Sequence, residues 1–175
     1  GTYSLIVTVG ACTNIATANV IINALPTPTA TSNSPVCLLK PINFTGSGGV
    51  SYSWSGPGPY SSNQQNPVIA VAQASNAGTY TLTVINANGC TNTVTTNVVI
   101  NPLPAITVNK PLVCLNQPIN LTSSGGVSYA WSGPLGYSSP LQNPTIANAQ
   151  LNMTGPYTVV VTSALGCTAA AVSNV

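Results

Sequence analysis

The side chains able to do chemistry in this 175-residue chain are five cysteines, seven tyrosines and two lysines, because Asp, Glu and His are all absent. General acid–base catalysis relies mainly on the missing residue types. Neither Lys40 nor Lys110 belongs to a recognisable pattern of catalytic residues. Hard cations need clustered carboxylates, and the cysteines are too far apart in sequence for a zinc site. We therefore expect no enzyme activity, no metal and no cofactor, and we interpret both lysines as solubilising surface residues.

The low charge also limits the kinds of partner. A formal net charge of +2 is too small for a nucleic-acid-binding surface. No apolar run reaches the roughly 18 residues of a membrane span, so we expect no membrane insertion. The chain is nevertheless 44% hydrophobic, which separates it from disordered sequences.

Disulfide formation is the chemistry that the cysteine spacing supports. Cys37 and Cys90 are 53 residues apart, and so are Cys114 and Cys167. Equal spacings predict the two bridges Cys37–Cys90 and Cys114–Cys167, with Cys12 left unpaired in this sequence; free buried thiols are the alternative. Because disulfides persist in oxidising compartments, the prediction places the protein outside the cell, secreted to the cell surface.

A periodicity of 77 residues organises the chain. The string VSYSWSGP at 50–57 recurs as VSYAWSGP at 127–134, and Cys37 and Cys90 recur at the same step. The periodicity predicts a complete repeat at 25–102, a second and nearly complete repeat at 103–175, and the last strands of a truncated repeat at 1–24. We expect a window from a longer tandem array; the alternative is that 1–24 completes the core of a neighbouring subunit by strand addition.

Each complete unit is rich in strand-forming and turn-forming residues. Alternating or β-branched stretches predict strands at 27–32, 42–45, 50–54, 68–71, 79–84 and 91–100, the last of which can divide in two. Asn88–Gly89 predicts a hairpin turn. Six or seven short strands with no helical period predict an all-β fold of antiparallel β-sandwich domains. Prolines in the joints 23–26 and 101–104 stiffen short linkers or simply end strands.

A family resemblance adds to this interpretation. The segment NAGTYTL at 76–82 resembles the tyrosine-corner signature of immunoglobulin domains, with Asn76 where Asp is usual and Leu82 where a cysteine is usual. The succession Y-x-W-x-G-P, Q-N-P, A-G-x-Y-x-x-x-V, G-C-T and N-P-L-P resembles the PKD-like or Ig-like tandem repeats of large secreted Bacteroidota cell-surface proteins of the gliding-adhesin type. The resemblance implies secretion, a β-sandwich and a role in a tandem array, and no particular activity.

The aromatic residues recur with the repeat. Trp54 and Trp131 are expected in the cores, with sugar-stacking platforms as the alternative. The resemblance identifies Tyr80 and Tyr157 as tyrosine-corner residues, whose hydroxyl groups bond the backbone. The long loops 56–67 and 133–144 carry the two candidates for exposed surface contacts, Tyr60 and Tyr137.

Two functions follow as hypotheses. Neutral Ser, Thr and Asn surfaces lack the charge repulsion that keeps proteins apart, which favours a non-catalytic structural segment of an extracellular filament or long cell-surface fibre. Its partners would be copies of itself. The alternative is an adhesin or carbohydrate-binding array that uses the long loops to bind surface glycans.

Overall fold

Residues 1–19 form an isolated two-stranded hairpin in the computed structural model, which describes all residues from 1 to 175. Its strands are β1 (Thr2–Val9) and β2 (Cys12–Asn19), paired antiparallel from Thr2↔Asn19 to Val9↔Cys12. Gly10 adopts a φ of 62° in the two-residue turn, a conformation that glycine tolerates readily. Every residue of the hairpin is exposed.

A first sandwich follows the hairpin. Its strands are β3 (Thr29–Ser32), β4 (Val36–Cys37), β5 (Ile42–Ser47), β6 (Ser51–Ser55), β7 (Ser61–Ser62), β8 (Val68–Ile69), β9 (Gly78–Ile85), β10 (Thr91–Val98) and β11 (Ile100–Asn101). One sheet has the order β3-β5-β8 and the other has the order β10-β9-β6-β7. The short strand β11 pairs in parallel with β4. Two antiparallel sheets in this arrangement form an immunoglobulin-like sandwich.

The core of the first sandwich follows from the alternation of side chains along its strands. In β9, Tyr80, Leu82 and Val84 are fully buried while the threonines between them point away from the core. The opposite sheet supplies Ile42 and Phe44 from β5. The complete buried cluster comprises Val36, Ile42, Phe44, Trp54, Ala72, Tyr80, Leu82, Val84 and Val98.

A second sandwich has the same plan. Its strands are β12 (Thr107–Val108), β13 (Ile119–Asn120), β14 (Ser123–Ser124), β15 (Ser128–Gly133), β16 (Tyr137–Ser139), β17 (Thr145–Ile146), β18 (Pro156–Thr162) and β19 (Thr168–Asn174). The larger sheet has the order β16-β15-β18-β19. A separate buried cluster fills this sandwich: Ile119, Leu121, Trp131, Ala149, Tyr157, Val159 and Val161. Short 3-10 turns lie at 74–76, 134–136 and 151–153.

The all-β fold class predicted from the sequence is confirmed. The six predicted strands of the first repeat match observed strands, and the last divides into β10 and β11. The sequence pattern missed the two-residue strands β4 and β7, which are too short to show alternation. No helix in the structure has the length and apolar character required to span a membrane.

Candidate functional site

A single disulfide closes the joint between the two sandwiches. Cys37 in β4 is bonded to Cys167, which precedes β19, and their Cα atoms lie 5.6 Å apart across a sequence separation of 130. The predicted pairs Cys37–Cys90 and Cys114–Cys167 are therefore wrong. Cys12, Cys90 and Cys114 are free thiols.

The intra-repeat pairing fails because Cys37 and Cys90 lie at opposite ends of the first sandwich. Cys37 is beside the chain exit, where Leu38 N donates to Asn101 O at 2.9 Å. Cys90 is beside the chain entrance, with its Sγ 4.0 Å from Asn23 O. The strand β10 connects these ends and has 8 residues. At the usual rise per residue of a β-strand, its length is roughly 27 Å. A disulfide requires Cα atoms within about 7 Å.

Backbone hydrogen bonds hold both halves of the joint. On the first sandwich, Val36 N donates to Val99 O at 2.9 Å, which fixes β4 against the strand that leads into the linker. On the second sandwich, Cys167 N donates to Ser163 Oγ at 3.2 Å and Ser163 N donates to Cys167 O at 2.8 Å. Cys167 is fully buried. The bridge therefore joins two locally rigid segments across the proline-containing linker 102–104.

The sequence contained a signal for this connection that spacing alone could not resolve. A 77-residue periodicity places an early cysteine and a late cysteine in each unit, so the early cysteine can pair with the late one of its own unit or of the next. Both schemes satisfy the equal 53-residue spacings. Deciding between them requires knowing which end of the sandwich each cysteine occupies.

The two tryptophans lie in the sandwich cores, in agreement with the core prediction. Trp54 is 0% exposed and Trp131 is 2% exposed, so neither is accessible to a stacked sugar ring. Their indole Nε1 atoms donate to Gln65 O at 3.2 Å and Gln142 O at 3.3 Å, which satisfies the one polar atom of each ring. Each tryptophan thereby anchors the long loop of its own sandwich.

Tyr80 and Tyr157 have the geometry expected of tyrosine corners. The hydroxyl of Tyr80 donates to Asn76 O at 3.0 Å, and that of Tyr157 donates to Met153 O at 3.0 Å. Both acceptors lie four residues upstream, as in immunoglobulin domains. Burial raises the pKa of each phenol, and a neighbouring tyrosine adds to each rise: Tyr60 for Tyr80 and Tyr137 for Tyr157.

Tyr60 and Tyr137 are not the exposed contacts that their loop positions predicted. Both are half-buried, and each ring packs edge-on against the tyrosine-corner ring, with centroids 5.3 Å apart for Tyr60 and 5.6 Å apart for Tyr137. The Tyr60 hydroxyl is buried without a hydrogen-bond partner of acceptable geometry. Burial raises the pKa of Tyr60, and the nearby Ser62 side chain partly offsets the rise. The prediction failed because these rings cover the open ends of the cores.

The hairpin exposes the residue types that the sandwiches bury. Tyr3, Leu5 and Val7 are 66%, 65% and 51% exposed, whereas their counterparts 77 residues later are the three buried residues of β9. This apolar face has no covering sheet within the chain. Lys40 and Lys110 are both exposed, which agrees with their interpretation as surface residues.

No family model and no curated protein matches the chain. Among solved structures, the three N-terminal domains of the bacteriophage RB49 Hoc protein are 19% identical with a TM-score of 0.43; the match covers 86% of this chain and 58% of that one. Murine CEACAM1b is 10% identical with a TM-score of 0.40, over 85% of this chain and 98% of that one. The four N-terminal Ig domains of Dscam1 isoform 6.44 are 14% identical with a TM-score of 0.34, over 93% of this chain and 50% of that one. The chain thus spans between half and three fifths of the Dscam1 and Hoc fragments. The Ig-like fold itself follows from the strand order and the tyrosine corners of this chain.

Proposed function

We propose that this chain is a structural, non-catalytic segment of an extracellular filament or long cell-surface fibre, built from Ig-like sandwiches in series. The observation that carries the proposal is the disulfide between Cys37 and Cys167. Two domains joined only by a linker are expected to move relative to one another. A covalent second connection across a short proline-containing linker restricts that motion, which suits an element that must keep its direction over many repeats.

The uncovered hairpin supports assembly with copies of the same protein. In the first sandwich, the equivalent apolar face of β9 is covered by β5 of the opposite sheet, which contributes Ile42 and Phe44. A surface of that type would cover Tyr3, Leu5 and Val7 by the same packing. We therefore propose that the hairpin face is buried against another repeat of this kind, by strand addition from a neighbouring subunit or within a longer array.

An extracellular location fits the same features. A disulfide persists in oxidising surroundings such as the cell surface. The resemblance to PKD-like or Ig-like repeats of Bacteroidota surface proteins leads to the same proposal, with gliding-adhesin-type proteins as the source. The absence of Asp, Glu and His supports a role without catalysis.

Negative-stain electron microscopy of the oxidised chain at micromolar concentration tests the proposal. We expect long regular filaments whose axial repeat is commensurate with the sandwiches. Leu5→Ser should abolish them without unfolding the chain, because Leu5 is 65% exposed. The matched control is Leu82→Ser at the equivalent position in β9, which is 0% exposed and should instead unfold the first sandwich.

Dispersed particles under all conditions would contradict the filament proposal. The alternative, an adhesin or carbohydrate-binding array, would then be tested by glycan binding. That alternative relied on exposed Tyr60 and Tyr137, and the inward packing of both rings leaves it without its expected binding residues.

A further inference from the structure

We propose that the second sandwich binds a small, uncharged, single-ring aromatic molecule in a cavity at the open end of its core. The cavity has a volume of about 180 Å³. Its walls are apolar apart from two phenol hydroxyls and consist of Pro134, Leu135, Tyr137, Ile146, Met153 and Tyr157. This binding activity goes beyond the structural role proposed above and does not depend on it.

Two differences between the repeats create the walls of the cavity. Leu135 stands where the first sandwich has Gly58, and Met153 stands where it has Asn76. Gly58 has no side chain to form a wall, and the Asn76 side chain turns back to accept a hydrogen bond from Gln73 N at 2.8 Å. The structure has no cavity at the equivalent place in the first sandwich.

Leu135 is held in an unfavourable backbone conformation at the rim of the cavity. Its φ is 57°, in the left-handed region that is costly for any residue with a Cβ. Gly58 adopts a φ of 65° at the same place without that cost. The Leu135 side chain is 68% exposed, so packing in the core does not offset the strain. A strained residue of this kind is typical of a functional position.

The tyrosine pair beside the cavity indicates an aromatic ligand. The rings of Tyr137 and Tyr157 meet edge-on at 5.6 Å. In the first sandwich the Phe44 ring packs against the equivalent pair, with centroid distances of 6.1 Å and 4.6 Å. The second sandwich has Leu121 at the Phe44 position, so its tyrosine pair lacks a third ring. Because aromatic contacts stabilise beyond the area they bury, an aromatic ring in the cavity gains more than an aliphatic one.

Size and charge narrow the class of ligand further. An apolar protein cavity of about 150 Å³ accepts benzene, so the volume here suits one ring. The two charged side chains of the protein, Lys40 and Lys110, do not line the cavity, and burial of an unpaired charge is costly. The two phenol hydroxyls are too few to bond the many hydroxyl groups of a sugar.

The cavity is formed before a ligand enters. The Tyr157 hydroxyl donates to Met153 O at 3.0 Å, and Met153 N donates to Gln150 O at 3.0 Å, so two hydrogen bonds hold the backbone of one wall. A preformed site loses little free energy to ordering when it binds.

The cavity is separate from the edge of the sandwich that carries the cysteine. In the first sandwich, the residues that follow β10 pair with β4. The residues of the second sandwich at the β4 positions, Val113 and Cys114, do not line this cavity. Its walls therefore belong to the body of the second sandwich.

Titration of the protein with phenol, followed by NMR of a methyl-¹³C methionine label, tests the site. Met153 is the single methionine of the chain, so the one labelled signal comes from a wall of the cavity. We expect a saturable shift of this signal, because a bound ring lies close to the methyl group. The dissociation constant should be on the order of 1 mM for so small a ligand.

Leu135→Gly gives the second sandwich the residue that the first has at this place. It removes one wall and should weaken phenol binding by about tenfold or more. The thermal unfolding midpoint should not fall, because glycine tolerates a φ of 57°. The matched control is Leu141→Gln, which introduces the counterpart of Gln64 at an exposed position of the same loop that does not line the cavity. This control should bind phenol as the wild type does.

Cyclohexanol distinguishes an aromatic site from one that is merely apolar. It is a ring of the same size without a π system, and it should displace phenol only at several-fold higher concentration. Equal displacement would overturn the aromatic assignment. A Met153 signal without a saturable shift, or unchanged binding by Leu135→Gly, would overturn the site itself. Filament formation is measured separately by microscopy, and none of these results alters it.

Discussion

The ring of Tyr60 meets the ring of Tyr80 edge-on at 5.3 Å, yet only the Tyr80 hydroxyl has a hydrogen-bond partner. Tyr80→Phe removes the bond to Asn76 O and leaves that carbonyl without the phenol donor. We expect the unfolding free energy to fall by about 1 kcal/mol. Chemical denaturation monitored by tryptophan fluorescence measures the change.

Tyr60→Phe is the matched control in the same ring pair. It removes a buried hydroxyl that has no partner, so stability should be unchanged or higher, since an unsatisfied buried polar group costs about 1–3 kcal/mol. If both substitutions cost the same, the tyrosine corner does not stabilise the sandwich through its hydrogen bond.

Loss of the joint disulfide should loosen the pair of sandwiches without dissolving either core. Cys37→Ser opens a loop with a sequence separation of 130. In the chain-entropy account, a disulfide that closes so long a loop adds up to about 5 kcal/mol to the unfolding free energy. We expect a broader distance distribution in small-angle X-ray scattering and faster proteolysis of the linker 102–104. Cys12→Ser, at an exposed free thiol, should match the wild type in both measurements. An unchanged scattering profile for Cys37→Ser would mean that the linker alone holds the orientation.

The long loops begin at glycines that allow the tyrosine corners to pack. A Cβ on Gly56 would overlap the ring of Tyr80, and one on Gly133 would overlap the ring of Tyr157. Gly56→Ala should therefore lower the unfolding free energy by about 1–3 kcal/mol through overpacking. The control is Ser55→Ala, at the adjacent exposed position. Thermal unfolding followed by circular dichroism distinguishes the two, and equal midpoints would show that the loop shifts at little cost.

Stability should be nearly independent of pH between about pH 4 and 8, because no Asp, Glu or His is present to titrate. Above that range it should fall. Burial raises the pKa of Tyr60, Tyr80 and Tyr157 above 10.0, so the folded state retains these protons more tightly than the unfolded state. The stability they contribute is complete below pH 10.0 and is lost as the pH rises through the folded-state pKa values. A midpoint that shifts by many degrees between pH 4 and 8 would contradict this expectation.

The sequence was sufficient to predict the fold because local and global signals agree. The alternation in 79–84 predicted β9, and Asn88–Gly89 predicted the turn before β10. The core positions of Trp54 and Trp131 followed from their recurrence. In each case a period of two residues or of 77 residues carries the information.

The site was only partly predictable because it depends on which end of a sandwich each residue occupies. Cys37 and Cys90 are far apart because the length of β10 separates them. The number of residues between two cysteines does not indicate in which direction the intervening strands run. Tyr60 lies in a loop rich in Gly, Pro and Ser, which predicts exposure, yet its ring covers Tyr80 and Phe44. Such packing depends on how the loop folds back over the core, which no local pattern encodes.

Tension applied along the chain would not act evenly on its residues. With Cys37 bonded to Cys167, a pull between the termini passes from 1–37 directly to 167–175 and bypasses nearly everything between. At about 3.4 Å per residue, the bypassed loop of 130 residues stores roughly 440 Å of contour length that force cannot release while the bond is intact. Most of both sandwiches is thus shielded from load, and reduction of one covalent bond would convert a short, inextensible link into a long, extensible one.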